Sequence, residues 1–274
     1  MKVRSALVTG AGGVGCGRAI ARKLAKKGAR VVVSDLDELG AHETARLIEK
    51  DGSKAIVRGC DVRISRDVEE LVAFAAHEMG GLDLLVNNAS APFRPATPLD
   101  FWHDTIVTDL LGTMTATRAA IDVMQKSGGG AIVNIGSTSA LGHGRRTRGT
   151  RDDADGEATH AGGSPSYDVA KAGVMRLTTM LAYLKNDGIR VNCLLPDWVA
   201  TPEVQAYVDS VPMSERGDHA IPSQLTSMEQ IADAVWALAT DDSLAGRVMV
   251  WFSNDDAPKL IPFGDRGYVA LDDV

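Results

Sequence analysis

The chain has 274 residues, 45% hydrophobic and 24% charged, which is enough for one sizeable buried core. A net charge of −7 argues against a general nucleic-acid binder, which would carry a basic face. Cys16, Cys60 and Cys193 are widely spaced, so they suggest neither a disulfide framework nor a zinc site and fit a reducing compartment.

The first apolar segment, Ala6-Leu7-Val8, runs straight into Thr9-Gly10 and leaves no room for the apolar stretch of a signal peptide. No later run approaches membrane-spanning length, so a cytoplasmic protein without membrane association is expected. After a glycine turn, Arg18 to Lys27 places Ala19, Ile20, Leu24 and Ala25 at helical spacing, and Gly28 closes that helix before Val31-Val32-Val33. Further helices over about 38–50, 65–79 and 99–126 lead to Ala55-Ile56-Val57, to Leu82-Asp83-Leu84-Leu85-Val86 and to Ala131-Ile132-Val133-Asn134-Ile135. A helix over about 165–186 precedes Arg190-Val191-Asn192-Cys193-Leu194-Leu195. One over about 227–239, with Thr226 or Ser227 as N-cap, precedes Val248-Met249-Val250-Trp251-Phe252.

Short apolar strands joined by helices of this length predict a Rossmann-type doubly wound parallel sheet in three α/β/α layers, one domain over residues 1–274. Between Gly142 and Pro165 the rhythm breaks. Arg145, Arg146, Arg148 and Arg151 are followed by Asp152, Asp153, Asp155 and Glu157, with no apolar periodicity. This is an inserted charged loop over about 143–164, either a solvated insertion or a lid over the site. His143 and His160 within it lack ligand spacing, and no metal is expected. A tail with Pro258, Pro262 and Phe263 runs from about 254 to 274.

Gly10, Gly12, Gly13, Gly15 and Gly17 crowd the first strand–helix turn, with Cys16 between the last two. Glycines there let the backbone approach a pyrophosphate, which the helix N-terminus stabilises with free N–H groups. Gly10-x-Gly12-x-x-Gly15 matches the dinucleotide fingerprint in its strand–turn–helix setting. Asp35, followed by Leu36, comes directly after the second strand. A carboxylate there accepts hydrogen bonds from the ribose 2′-OH and repels a 2′-phosphate, so NAD(H) is preferred over NADP(H); the plainer reading is a turn-forming Asp.

Tyr167 and Lys171 stand one helical turn apart. An ammonium at that distance stabilises a phenolate and so equips the phenol for acid/base work, although the spacing alone also suits an ordinary half-exposed helix face.

Assembled, these residues resemble the short-chain dehydrogenase/reductase family, from about residue 4 to 201 and more loosely to 252. Thr9-Gly10 through Gly17 resembles the family's glycine motif, Asp61-Val62 the pair that contacts adenine, and Asn87-Asn88-Ala89 the segment lining the adenosine side. Asn134-Ile135-Gly136-Ser137 resembles the strand end with the catalytic serine. Tyr167-x-x-x-Lys171 resembles the catalytic pair, and Arg190-Val191-Asn192 through Pro196, with Val199 and Thr201 beyond, resembles the segment closing on the nicotinamide.

The resemblance implies an NAD(H)-dependent oxidoreductase interconverting a secondary alcohol and a ketone. Tyr167 is then the acid/base, Lys171 promotes its ionisation and holds the nicotinamide ribose, and Ser137 binds the substrate oxygen, with Ser139 as a nearby competitor. It also implies a homo-oligomer, dimer or tetramer, acting on a small molecule; the loop arginines suit an anionic one. Two other readings stay open: a nucleotide-binding protein with weakened or lost catalysis, and a reductase of C=N or activated C=C bonds.

Four departures from the family pattern carry expectations. The glycine turn is one residue longer than the family's, with Ala11, Gly12, Gly13 and Val14 between Gly10 and Gly15. Asp109, in Asp109-Leu110-Leu111-Gly112, stands where the family has a catalytic asparagine that holds a water linking the lysine to solvent. Its charge would partly cancel the pull of Lys171 on Tyr167 and move the pH optimum upward. Pro196-Asp197 replaces a Pro-Gly, so Asp197 and Trp198 are candidates to face substrate. The charged insertion makes the interval from Ser137 to Tyr167 far longer than in the family.

Overall fold

The computed structural model describes residues 2–92, 99–141, 165–217 and 221–262. One eight-stranded sheet runs through it in the order β3-β2-β1-β4-β5-β6-β7-β8. The strands are β1 (Ser5–Thr9), β2 (Arg30–Asp35), β3 (Ala55–Gly59), β4 (Leu84–Asn87), β5 (Gly130–Ile135), β6 (Ile189–Pro196), β7 (Val248–Trp251) and β8 (Lys259–Leu260). All neighbours pair in parallel except β7 and β8. The strand order reverses between β1 and β4, and the crevice at that switch point is where such sheets bind ligands.

The strands read as unbroken apolar runs because both faces are covered. In β1, Ala6 and Val8 pack into one core layer and Leu7 into the other; Val31 and Val33 divide from Val32 in the same way. One layer receives Ile20 and Leu24 of α1 (Cys16–Lys26), Ile48 of α2 (Glu38–Lys50), and Ile231, Val235 and Leu238 of α8 (Met228–Thr240). The other receives Val68, Leu71 and Val72 of α3 (Ser65–Met79) and Ala116, Ala120 and Met124 of α5 (Thr113–Ser127). Val174 of α6 (Pro165–Met180) packs with Cys193, Leu195, Val248 and Val250 in a smaller cluster beside it.

The second and third helices begin and end where the apolar spacing sets them. Ser227 is the N-cap of α8, in a reciprocal box with Gln230. Elsewhere the structure departs from the sequence expectation. The helix expected over about 99–126 is α4 (Leu99–Thr105), a π-helical turn (Ile106–Gly112) and then α5. The helix over about 165–186 stops at Met180 and continues as a 3-10 turn, Ala182–Asp187. A short helix α7 (Pro202–Ser210), capped by Thr201, has too little apolar periodicity to be read from sequence. The tail contributes β8, an antiparallel edge strand, so the sheet is mostly rather than wholly parallel. The charged loop over about 143–164 and the last tail residues, 263–274, lie outside the described residues.

Candidate active site

The sequence-selected residues converge at the C-terminal edge of the sheet. At the end of β1, Gly10 takes φ +64°, and a Cβ there would come within 2.6 Å of the Ala89 Cα, so only glycine allows the turn. Gly17 lies so close to the Gly10 carbonyl and the Asn88 amide that a Cβ has no room. The Asn88 side chain donates to the Thr9 and Gly10 carbonyls at 3.1 and 2.8 Å, tying the turn to the end of β4. The extra residue is absorbed in the turn: Gly15 still becomes the N-cap of α1, and Cys16 opens that helix.

Gly12 and Gly15 have different neighbours. The Gly12 N–H donates to Asp35 Oδ2 at 2.7 Å, while the Asp37 N–H donates to Oδ1 at 2.9 Å. Asp35 therefore fastens the glycine turn to the end of β2, with Leu36 exposed beside it. The Cβ position of Gly15 is open except for Thr201 Cγ2 at 4.0 Å, and nothing lies within 4 Å of that of Gly13. The turn thus faces open space on one side and the start of α7 on another.

After β3, Arg63 donates to both oxygens of Asp61 and holds its carboxyl below the usual carboxylate range. Val62 packs under the π-turn, where a Cβ at Gly112 would come within 2.8 Å of the Val62 carbonyl. At the end of β6, Pro196 leads to Asp197, whose Oδ1 accepts from Thr138 at 3.0 Å and whose Oδ2 accepts from the Ser253 N–H at 3.2 Å. Asp197 thus joins the ends of β5, β6 and β7. Trp198 stacks on Tyr207 of α7 with ring centroids 5.9 Å apart, and Val199 bridges to Thr226.

Ser137 follows β5. Gly136 before it packs so tightly on Leu195 and Cys193 that a Cβ would not fit. The Ser137 hydroxyl oxygen accepts from the Ser139 N–H at 3.2 Å, which orients the oxygen and leaves its proton available to a ligand. Tyr167 and Lys171 lie on α6, which packs closely on the π-turn: a Cβ at Gly173 would come within 2.9 Å of Leu110 Cδ1. The Lys171 ammonium lies 5.3 Å from the Tyr167 ring centre and donates to the Ile135 carbonyl at 3.1 Å, two residues before Ser137. Beneath these residues, Asn87 donates to Asn134 at 2.8 Å and Asn134 to Thr178 at 2.9 Å. This buried ladder locks β4, β5 and α6 in register.

Asp109 enters this cluster from the π-turn. One extra residue per turn re-aims a side chain, and π-turns of this kind often mark functional sites. Asp109 is 0% exposed. Its Oδ2 lies 3.1 Å from Lys171 Nζ, a direct contact with no room for an intervening water. Ser90 donates to the same oxygen at 2.5 Å, and the Ala91 N–H donates to Oδ1 at 2.8 Å. Burial alone would depress the Lys171 ammonium, but Asp109, and after it Tyr167, outweigh burial and raise its pKa above the ordinary lysine value. Ser90 escaped the sequence reading: it adjoins Asn87-Asn88-Ala89, but nothing local announces a partner 19 residues away.

A doubly wound sheet with a glycine turn at its switch point is the scaffold of dinucleotide-binding proteins. The short chain dehydrogenase family model matches residues 4–147, and the enoyl-(acyl carrier protein) reductase model matches 154–248. The chain belongs to the short-chain dehydrogenase/reductase family. It is 37% identical over 243 residues to the cis-4-hydroxycyclohexanecarboxylate dehydrogenase of Sinomonas cyclohexanicum, covering 87% of this chain and 90% of that one. Identity to the short-chain reductase protein NovJ of Streptomyces niveus is 32% over 250 residues, 87% of each chain. The crystal structure of a putative short-chain alcohol dehydrogenase from Sinorhizobium meliloti 1021 superposes with a TM-score of 0.76 at 30% identity, over 91% of this chain and 95% of that one.

The family binds a nicotinamide cofactor, and the residues present fit one. The open side of Gly13 and Gly15 leaves room for a pyrophosphate, and α1 begins with neither a side-chain cap nor an acid in its first turn. Among the described residues, no helix is long and apolar enough to cross a membrane.

Proposed function

We propose that this oxidoreductase is NAD(H)-dependent and interconverts a secondary alcohol and a ketone, with Tyr167 as the acid/base. The observation that carries this reading is the buried Lys171, held by Asp109 and the Ile135 carbonyl with its ammonium against the Tyr167 ring. Tyr167 takes the proton from an alcohol or gives one to a carbonyl oxygen, with the fixed positive charge of Lys171 beside it to offset the charge that develops as the proton moves. Ser137 donates its hydroxyl proton to that oxygen and stabilises charge as it develops. The bound nicotinamide supplies the hydride acceptor or donor.

Asp35 supports NAD(H). Its carboxylate closes the end of β2 beside the glycine turn, where a 2′-phosphate would meet a negative charge. For substrate, the relative named for a hydroxycyclohexanecarboxylate suggests a ring alcohol with a carboxylate. The arginines of the charged loop suit the same class, and so does the flat Trp198/Tyr207 stack as an apolar wall. A cytoplasmic setting and a homo-oligomer belong to this proposal as well. Exposed Leu111, Met114, Val169 and Met180, on the π-turn, α5 and α6, are apolar surface that favours association.

The test is NADH formation at 340 nm with NAD⁺ and a panel of secondary alcohols that includes ring alcohols bearing a carboxylate. Tyr167→Phe should lower kcat by about 10²–10⁴-fold while NADH still binds. Undiminished turnover in Tyr167→Phe would remove Tyr167 from the chemistry.

A further inference from the structure

We propose that Asp197 is a positioning residue for Ser137, acting through the Thr138 hydroxyl; this rests on the role proposed above for Ser137. The backbone is held on both sides of that serine. Before it, the Gly136 N–H donates to the Leu194 carbonyl at 2.8 Å, which carries the β5–β6 pairing one residue past the strand. After it, the Thr138 hydroxyl donates to Asp197 Oδ1 at 3.0 Å. Ser137 stands between these two fixed points, with its own oxygen oriented by the Ser139 N–H at 3.2 Å.

Asp197 is itself anchored. Its N–H donates to the Trp251 carbonyl at 3.0 Å, and its Oδ2 accepts from the Ser253 N–H at 3.2 Å. Ser253, 3% exposed, clamps the next residue as well. Its hydroxyl oxygen accepts from the Trp198 N–H at 2.9 Å and donates to the Trp198 carbonyl at 3.1 Å. The place of Thr138 is therefore set by β6 and β7 rather than by its own turn.

The residue type follows from this arrangement. A hydroxyl and a backbone N–H both point at residue 197, and a carboxylate meets each with a separate oxygen. The glycine of the family pattern could accept neither bond. The clasp also sorts three adjacent hydroxyls. The Thr138 proton is committed to Asp197, and the Ser139 hydroxyl oxygen is buried without a partner among the described residues. That leaves the Ser137 hydroxyl to meet a substrate oxygen. A donor that stabilises developing charge must sit where the oxygen lies in the transition state, so a displaced Ser137 costs rate more than ground-state affinity.

The experiment is a double-mutant cycle on Thr138→Val and Asp197→Ala, with Thr138→Ser as the conservative variant. The full chain is assayed with NAD⁺ and the alcohol best oxidised in the panel, and each variant is melted to show that it is folded. Thr138→Val keeps the shape of the side chain and removes its donor. It should lower kcat on the order of 10-fold, less than the loss of a whole oxyanion donor, with KM unchanged. Thr138→Ser should retain wild-type kcat. The double variant should lose no more than Asp197→Ala alone, because both changes break one contact. If Asp197→Ala does not fold, the two Thr138 variants decide by themselves. Wild-type kcat in Thr138→Val, a lowered Tm without a lowered kcat, a loss that Thr138→Ser shares, or losses that multiply in the double variant would each overturn the positioning role alone. A wild type that oxidises no alcohol in the panel would overturn it together with the proposed function.

Discussion

Asp109 and Lys171 carry opposite charges into a place water does not reach, and each depends on the other. Removing one partner of a buried pair leaves an uncompensated charge at a cost of roughly 3–5 kcal/mol. Asp109→Asn should therefore lower stability by about 3 kcal/mol near neutral pH, read from urea unfolding. The pH dependence has a definite sign. The folded-state pKa of Lys171 lies above its ordinary 10.5, so the pair's contribution is complete below that value and disappears as pH rises through the folded one. The stability gap between wild type and Asp109→Asn should be widest below 10.5 and close above it.

At the scale of elements, the π-turn between α4 and α5 is what carries Asp109 to Lys171. An unbroken α-helix over 99–126 was expected because the apolar spacing on either side is helical, and a single inserted residue leaves no periodic signature. What holds the turn in place is close packing at two glycines. At Gly173 the added methyl would meet the flexible end of Leu110, which can move aside. At Gly112 it would meet the Val62 backbone carbonyl at 2.8 Å, which cannot. Gly112→Ala should thus cost about 1–3 kcal/mol and lower Tm by several degrees, whereas Gly173→Ala should be milder. Equal melting temperatures for the two variants would contradict this account of the turn.

Across the whole molecule, the cleft is bordered by segments far apart in the chain: the glycine turn at residues 10–17, Asp35 at the end of β2, and Thr201 at the start of α7. A ligand bridging them stabilises the folded state by mass action, about 2.7 kcal/mol at a hundred times its Kd. NADH should accordingly raise Tm in a concentration-dependent way, and NADPH at the same concentration should raise it less, because its 2′-phosphate meets Asp35. A larger shift with NADPH would reverse the proposed preference.

Much of this architecture was legible in the residues themselves. Strand runs such as Val31-Val32-Val33 and helix spacings such as Ile20 and Leu24 depend only on neighbours along the chain, and so does a glycine turn set between them. Local pattern places Ser137 at a strand end and Tyr167 and Lys171 one turn apart on a helix, but only the family resemblance singled them out as candidates. Asp109 was noticed as a departure, yet only the packing of α6 on the π-turn sets its carboxylate against the lysine. Ser90 and the clasp made by Asp197 were out of reach, since a hydrogen bond between residues 19 or 56 positions apart has no period in the sequence. Local chemistry thus determined the elements and where the candidate groups stand on them, while the tertiary structure alone decided which buried charges and hydroxyls touch.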